Sequence, residues 1–207
     1  MAKLVLSKSG LHKQRENMRL YERVLPSLEL KRMQLAAELK RAGKQLDNAR
    51  ADEEMLKQRV ALQLPMLADL EMDLSGFVDV ESIDIDEENM VGLRLPTLVD
   101  VQFRVDSYSM LARPHWTDVL TDRIKQMVLQ KVRVQVMTQR VRLLEQSARK
   151  ITQRTNLFEK ILVPQARRNI RKIQVYLADA DRAAVIRSKV TKRIRRKQAE
   201  AFSGASS

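Results

Sequence analysis

The chain has 207 residues and a formal net charge of +13, with 31% charged and 44% hydrophobic positions. Aromatics make up only 4%, Gly and Pro number five each, and Cys is absent, which argues against a compact β or α/β domain and excludes a disulfide framework or thiolate metal site. No apolar run approaches the ~18 residues of a membrane span, and Leu4-Val5-Leu6 is too short an apolar patch for a signal peptide, so the expectation is a cytoplasmic protein.

The N-terminal arm carries a heptad pattern. Tyr21, Leu25, Leu28, Arg32, Leu35, Leu39, Ala42, Leu46, Ala49, Glu53, Leu56 and Val60 alternate steps of three and four, which puts a narrow stripe along one side of a helix. Arg32 and Glu53 are charged seam positions of the kind that set register at a cost in stability. The pattern predicts a helix from about residue 11 to residue 64, roughly 80 Å long, ended by Pro65. Gly43 is its only glycine.

Residues 66–118 change character. They hold twelve acids and three bases, a balance of −9, so the two flanks together carry +22. An acidic middle between basic arms points to two different partner surfaces. Val78, Val80, Ile83 and Ile85 alternate with acids, and Val99, Val101, Phe103 and Val105 alternate with polar residues, a period of two that predicts strands. Ser82 breaks the phase of the first run and predicts a bulge there. The turn is expected at Asp86-Glu87-Glu88-Asn89, followed by Met90-Val91-Gly92-Leu93-Arg94-Leu95-Pro96. A hairpin of this size needs support from a helix or a partner. Trp116 is expected to anchor it against the coil.

The C-terminal half repeats the heptad signal. Val134, Met137, Val141, Leu144, Ala148, Ile151, Thr155, Phe158, Leu162 and Gln165 hold one phase, and residues 119–163 contain no Gly or Pro. The helix is expected to start at Thr117, as N-cap with Asp118 near the positive end of the dipole, and to run to about Arg196, roughly 120 Å. Two such helices joined by the middle segment should fold back as a left-handed antiparallel coiled coil whose paired residue numbers total about 180, with Leu46 near Val134 and Leu28 near Thr155. Pro26 and Pro164 fall at similar levels in that register, where each removes a helical hydrogen bond, and a bend of both strands is expected there.

The fold expected is therefore mainly α: a long two-helix antiparallel coiled coil with a small β-hairpin in the middle. Residues 1–64 and 117–196 are its helices, 65–116 the acidic middle segment and 197–207 a flexible tail.

Motifs for catalysis are missing. There is no G-x-x-x-x-G-K-[ST] loop and no G-x-G-x-x-G, and His12 and His115 lack metal-ligand spacing. Asp84, Asp86 and Glu88 imitate the start of an EF-hand loop, but Asn89 and Leu95 stand where its Gly and final Glu belong. No catalytic residue, cofactor or metal is expected. Residues 187–197 hold seven cations and no acid, continuing upstream to Arg167, Arg168, Arg171 and Lys172. Alone, that run is the footprint of a nucleic-acid or anionic-surface binder, but aromatic residues that would stack single strands are absent from it.

The stretch Gln153-Arg154-Thr155-Asn156-Leu157-Phe158-Glu159-Lys160-Ile161-Leu162-Val163-Pro164, continued by Arg168-Asn169-Ile170-Arg171-Lys172-Ile173, resembles the C-terminal signature of the D subunits of V-type (vacuolar and archaeal-type) ATPases. Leu28 with Lys31-Arg32 and Leu35, and the block from Asn89 to Pro96, resemble the family's first-helix and central elements. The chain departs from the family at Leu6-Ser7-Lys8-Ser9-Gly10, where Pro-Thr-Arg is usual, and at Val24, where a glycine is common.

The resemblance implies a non-catalytic central-stalk rotor subunit that couples ATP turnover to proton or sodium transport. Its partners would be the catalytic A and nucleotide-binding B subunits of the hexamer, the small F subunit and the subunit capping the membrane ring, with no nucleic acid and no direct membrane insertion. It would lie in the cytoplasm, peripheral to the membrane. The seam residues would be Leu28, Leu35, Leu39, Leu46, Leu56, Val60, Val134, Met137, Val141, Leu144, Ile151, Phe158 and Leu162. Partner contacts are expected at Met90, Gly92 and Pro96, at Arg154, Arg167, Arg168 and Arg171, and at Lys192, Arg193, Arg195 and Arg196. The competing reading is a basic coiled-coil nucleic-acid binder, favoured by the tail and opposed by the acidic hairpin and the C-terminal signature.

Overall fold

The computed structural model describes residues 4–63, 78–104 and 117–204. The stop expected at Pro65, the end of the strand run at Val105 and the Trp116 anchor lie outside these residues. The elements in order are helix α1 (Lys8–Gln63), strands β1 (Asp79–Met90) and β2 (Leu93–Arg104), helix α2 (Thr117–Leu157), a π turn (Phe158–Leu162) and helix α3 (Val163–Gly204). They fold as two compact units, residues 30–152 and residues 1–29 with 153–207.

Helix α1 begins at Lys8, three residues before the start expected from the heptads. Ser7 moves the boundary: its Oγ accepts from Gly10 N–H at 3.1 Å and its carbonyl from Leu11 N–H at 2.9 Å, an N-cap that satisfies donors otherwise left open. Gly10 is needed because a Cβ there would collide with the Val5 carbonyl, where the N-terminal segment passes close to the first turn. Helix α3 continues past Arg196 to Gly204, since Gln198-Ala199-Glu200-Ala201 are strong helix formers and no Gly or Pro intervenes earlier.

In the unit of residues 30–152, α1 runs antiparallel to α2. Leu35, Ala42, Leu46 and Ala49 are buried on α1. Leu35 and Ala42 share a cluster with Leu144 of α2 and Leu95 of β2, and Leu39, Val141 and Ile151 pack against it. Gln130 Nε2 donates to the Ala49 carbonyl at 3.0 Å, in keeping with paired numbers that total about 180. Each buried leucine contributes about 1.5–3 kcal/mol. Val134, Met137, Leu56 and Val60 are half-buried.

The hairpin leans on α2. Val101 of β2 meets Val132 and Val136, with Leu98, Phe103 and Val128 around them. The expected bulge is present between Val80 and Ser82, and a second falls between Asp84 and Ile85. Because Asp84 pairs with Asp100 and Ile85 with Leu98, Val99 drops out of the ladder and turns to solvent, 66% exposed. The turn is not at residues 86–89. Asp86, Glu87 and Glu88 are strand residues opposite Thr97, Pro96 and Leu95, and the chain reverses at Val91-Gly92, with φ of 55° and 80°. Positive φ at both central residues is the primed geometry that matches strand twist. Gly92 adopts it freely, whereas Val91 is held there against its β-branched preference by packing on the Leu35–Leu95 cluster. Pro96 is tolerated because a two-stranded sheet has only edge strands.

In the other unit, Tyr21 of α1 meets Phe158 edge to face, ring centroids 5.5 Å apart and planes at 87°. Leu25, Leu28 and Leu162 are half-buried, and Thr155, Ala166 and Ile173 are buried. Pro26 lies inside α1 without ending it. Pro164 has a clearer consequence. It offers no N–H to the Lys160 carbonyl, and the helix widens just before it into a π turn, where Val163 N–H donates to the Phe158 carbonyl. The extra residue advances the buried phase by one. Gln165, a seam position in the uninterrupted heptad, is exposed, and Ala166 takes its place with Ile173 two turns on.

Gly43 is helical, and a Cβ there would meet nothing within 4 Å. Gly43→Ala should therefore raise the unfolding free energy by about 1 kcal/mol, read from chemical denaturation. A lower midpoint would show that the apparent space is filled.

Candidate functional site: the hairpin clasp and the basic helix

A second stripe on α2 positions the hairpin. Val128, Val132, Val136 and Arg140 recur every four residues, one face of a helix distinct from the heptad seam. The three valines face β2. Arg140 ends the stripe as a clasp: Nη2 donates to Glu88 Oε2 at 2.7 Å and Nη1 to Thr97 Oγ1 at 3.0 Å, one partner on each strand. Its side chain is 12% exposed, against 50% for Glu88, so the pair is desolvated mainly on the arginine side. Such charge-assisted bonds are short and geometrically specific. Sequence reasoning missed Arg140. Its signal is the four-residue spacing that ends in a cation, facing strands rich in acids.

Around that clasp, Met90 and Pro96 are half-buried and Gly92 is exposed. Met90 packs on the Leu35–Leu95 cluster, so it serves the hairpin's own docking. The outward surface is acidic: Asp79, Glu81, Asp84, Asp86 and Glu87 are all exposed. Among the described residues no three acidic or histidine side chains are grouped as a metal site. Val80, Ile83 and Ile85 are 40%, 43% and 50% exposed, leaving β1 more open than β2.

The unit of residues 1–29 and 153–207 has the opposite charge. Arg154, Arg167, Arg168 and Arg171 are exposed, as are Lys192, Arg193, Arg195 and Arg196 on α3. Arg167 Nη2 reaches Glu22 Oε1 at 3.3 Å, an exposed pair of small energetic value. Asn169 Nδ2 lies 3.4 Å from Gln14 Oε1, a polar contact between α3 and α1. Along α3, Val185, Ile186, Val190 and Ile194 are about half exposed and interleave with the cations. The basic residues expected at partner contacts thus share one unit, and the hairpin residues belong to the other. No helix among the described residues is long and apolar enough to cross a membrane.

These features define a class: very long helices, paired antiparallel and carrying a clasped acidic hairpin in one unit, and bearing exposed cations in the other. The family of ATP synthase D subunits matches residues 10–193, and the chain belongs to that family. It is 28% identical to the V-type ATP synthase D subunit of Borreliella burgdorferi, over 93% of this chain and 95% of that protein. It is 30% identical to the D subunit of Chlamydia pneumoniae, over 91% of each, and 29% identical to that of Chlamydia muridarum, over 93% of this chain and 96% of the other.

Arg140→Met keeps the bulk of the side chain and removes both bonds. It should destabilise the hairpin by about 1.5–3 kcal/mol and speed amide exchange in β1 and β2, with little change in exchange across the α1 seam. Uniform loss of protection over the whole chain would contradict a local clasp.

Proposed function

We propose that this chain is the non-catalytic central-stalk subunit of a V-type ATPase or ATP synthase, the rotor that transmits rotation between the catalytic hexamer and the membrane ring during ATP-coupled proton or sodium transport. The observation that carries the reading is the family match over nearly the whole length, on a coil whose α1 runs 56 residues without a break. A part that transmits torque needs a continuous seam more than it needs a pocket. The exposed cations of α3, beside the polar contact of half-buried Asn169 with Gln14, suit an end that touches its surroundings through charge, because long-range contacts permit turning.

On this reading α3 and the start of α1 enter the hexamer of A and B subunits, with Arg154, Arg167, Arg168, Arg171, Lys192, Arg193, Arg195 and Arg196 meeting its inner loops. The hairpin end, with Met90, Gly92 and Pro96, lies toward the F subunit and the ring-cap subunit. The protein works on the cytoplasmic side, peripheral to the membrane. The seam at Leu28, Leu35, Leu39, Leu46, Leu56 and Val60 against Val134, Met137, Val141, Leu144, Ile151, Phe158 and Leu162 is its structural core.

Deletion of residues 187–207 tests the assignment of the basic extension. ATP-driven ion pumping or assembly with the hexamer should fall severalfold, while the melting temperature of the coil stays within a few degrees. Normal coupling with a much lower melting temperature would reject the role. Affinity purification separates the nucleic-acid reading: recovery of the hexamer supports the rotor, and tight RNA binding that survives ~200 mM salt without hexamer would replace it.

A further inference from the structure

Among the described residues, the seam of the 30–152 unit loosens toward the end of α1, although Leu120 at the start of α2 is buried. Leu35, Ala42, Leu46 and Ala49 are buried, but further along α1 Leu56 and Val60 remain only half-buried. Between them and the first turns of α2 lies a groove of about 530 Å³. That volume lies in the range of roughly 300–1,000 Å³ occupied by small-molecule sites. Its floor among the described residues is Leu56, Val60, Leu120, Ile124, Met127 and Val128, without an aromatic ring or a neutral polar group. Its rim is Glu53, Lys57, Arg123 and Lys131.

The rim charges are not equivalent. Lys57 Nζ lies 3.0 Å from Glu53 and 3.8 Å from Glu54, so the one acid of the rim is already engaged, and its carboxylate raises the Lys57 pKa. Arg123 Nη1 donates to Gln126 Oε1 at 2.9 Å, but Arg123 Nε is buried with no acceptor among the described residues. A buried donor without an acceptor is costly, and a carboxylate oxygen is the acceptor a guanidinium binds best. Lys131 lies on the same helix two turns away and adds a second cation over the apolar floor.

We propose that this groove binds an anionic amphiphile, a medium-chain carboxylate whose head group meets Arg123 and Lys131 and whose alkyl chain lies on Leu56, Val60, Ile124 and Met127. The groove follows α2 from Leu120 to Lys131, roughly 16 Å, long enough for a chain of that class. Met127 gives the floor an adaptable side chain suited to a flexible ligand. Among the described residues, the rim's three cations and one paired acid disfavour cationic amphiphiles, and the lining offers no aromatic or amide group to a nucleotide. Occupancy would fill the gap between the two helices where their own side chains do not. The proposal stands apart from the rotor reading and holds or fails without it.

The test uses the full chain with ¹³C-methyl-labelled methionine, titrated with decanoate below the concentration at which it aggregates; the Met127 signal is assigned by Met127→Leu. The expected result is a saturable shift of the Met127 methyl at one ligand per chain. Arg123→Gln with Lys131→Gln should raise Kd about tenfold, ~1.4 kcal/mol, with the circular dichroism melt unchanged. Should that double variant lose helicity, Lys131→Gln alone, at an exposed position, carries the comparison. Decyltrimethylammonium should give no saturable shift. An absent or unsaturable response to decanoate, an equal response to the cation, or undiminished affinity in the folded variant would overturn the proposal.

Discussion

A helix the length of α1 cannot bury its own apolar stripe, and everything else in this structure follows from that need. Long single helices in water are stabilised chiefly by packing an amphipathic face. The three-four alternation from Tyr21 to Val60 leaves one solution, a second helix with a matching stripe running along it. The C-terminal half supplies it. In each unit the pairs seen, Gln130 with Ala49 and Tyr21 with Phe158, keep the same register, so one rule of spacing governs both.

Proline tests that rule most severely. Pro164 interrupts the hydrogen-bond ladder of the C-terminal helix, and a strict heptad could not continue through it undisturbed. The π turn absorbs the interruption by inserting a residue, and the buried phase moves from the Leu162–Gln165 step to Ala166 and Ile173. The buried stripe therefore continues through a proline that would otherwise end it. The hairpin depends on the coil in a different way. Two strands alone are marginal in water, and these gain stability in two places: Val101 lies on a second face of α2 that the α1 partner does not use, and Leu95 enters the seam cluster of Leu35, Ala42 and Leu144. Arg140 ties both strands to that face.

Much of this was legible in the sequence. The alternation of apolar steps defined both helices and their antiparallel pairing, and the phase break at Ser82 located a bulge. The misplaced turn has a specific cause. A two-residue primed turn is recognised by Asn-Gly or Gly-Gly, and here Val91 occupies the first position at φ 55°, held by tertiary packing that no local pattern reveals. The acids at 86–88 resembled turn residues because they are polar, yet they pair across a ladder. Val99 alternates in step with Val101 and Phe103 in the sequence, yet a second bulge turns it to solvent. The start of α1 was hidden behind Gly10, which usually disfavours a helix, and only the Ser7 cap explains it. Arg140 was missed because the heptad seam masks a second stripe on the same helix. The change of phase at Pro164 is a consequence of backbone geometry that a heptad count does not contain.

The proposed rotor role assigns different surroundings to two differently charged surfaces, an acidic hairpin in one unit and exposed cations on α3 in the other. Direct observation of rotation tests that role most plainly. With the hexamer immobilised and a bead attached through Asp86→Cys, an exposed hairpin position in a chain that has no other cysteine, addition of ATP should turn the bead continuously in one direction. ATP hydrolysis at full rate with a bead that stays still while bound to this protein would contradict the account.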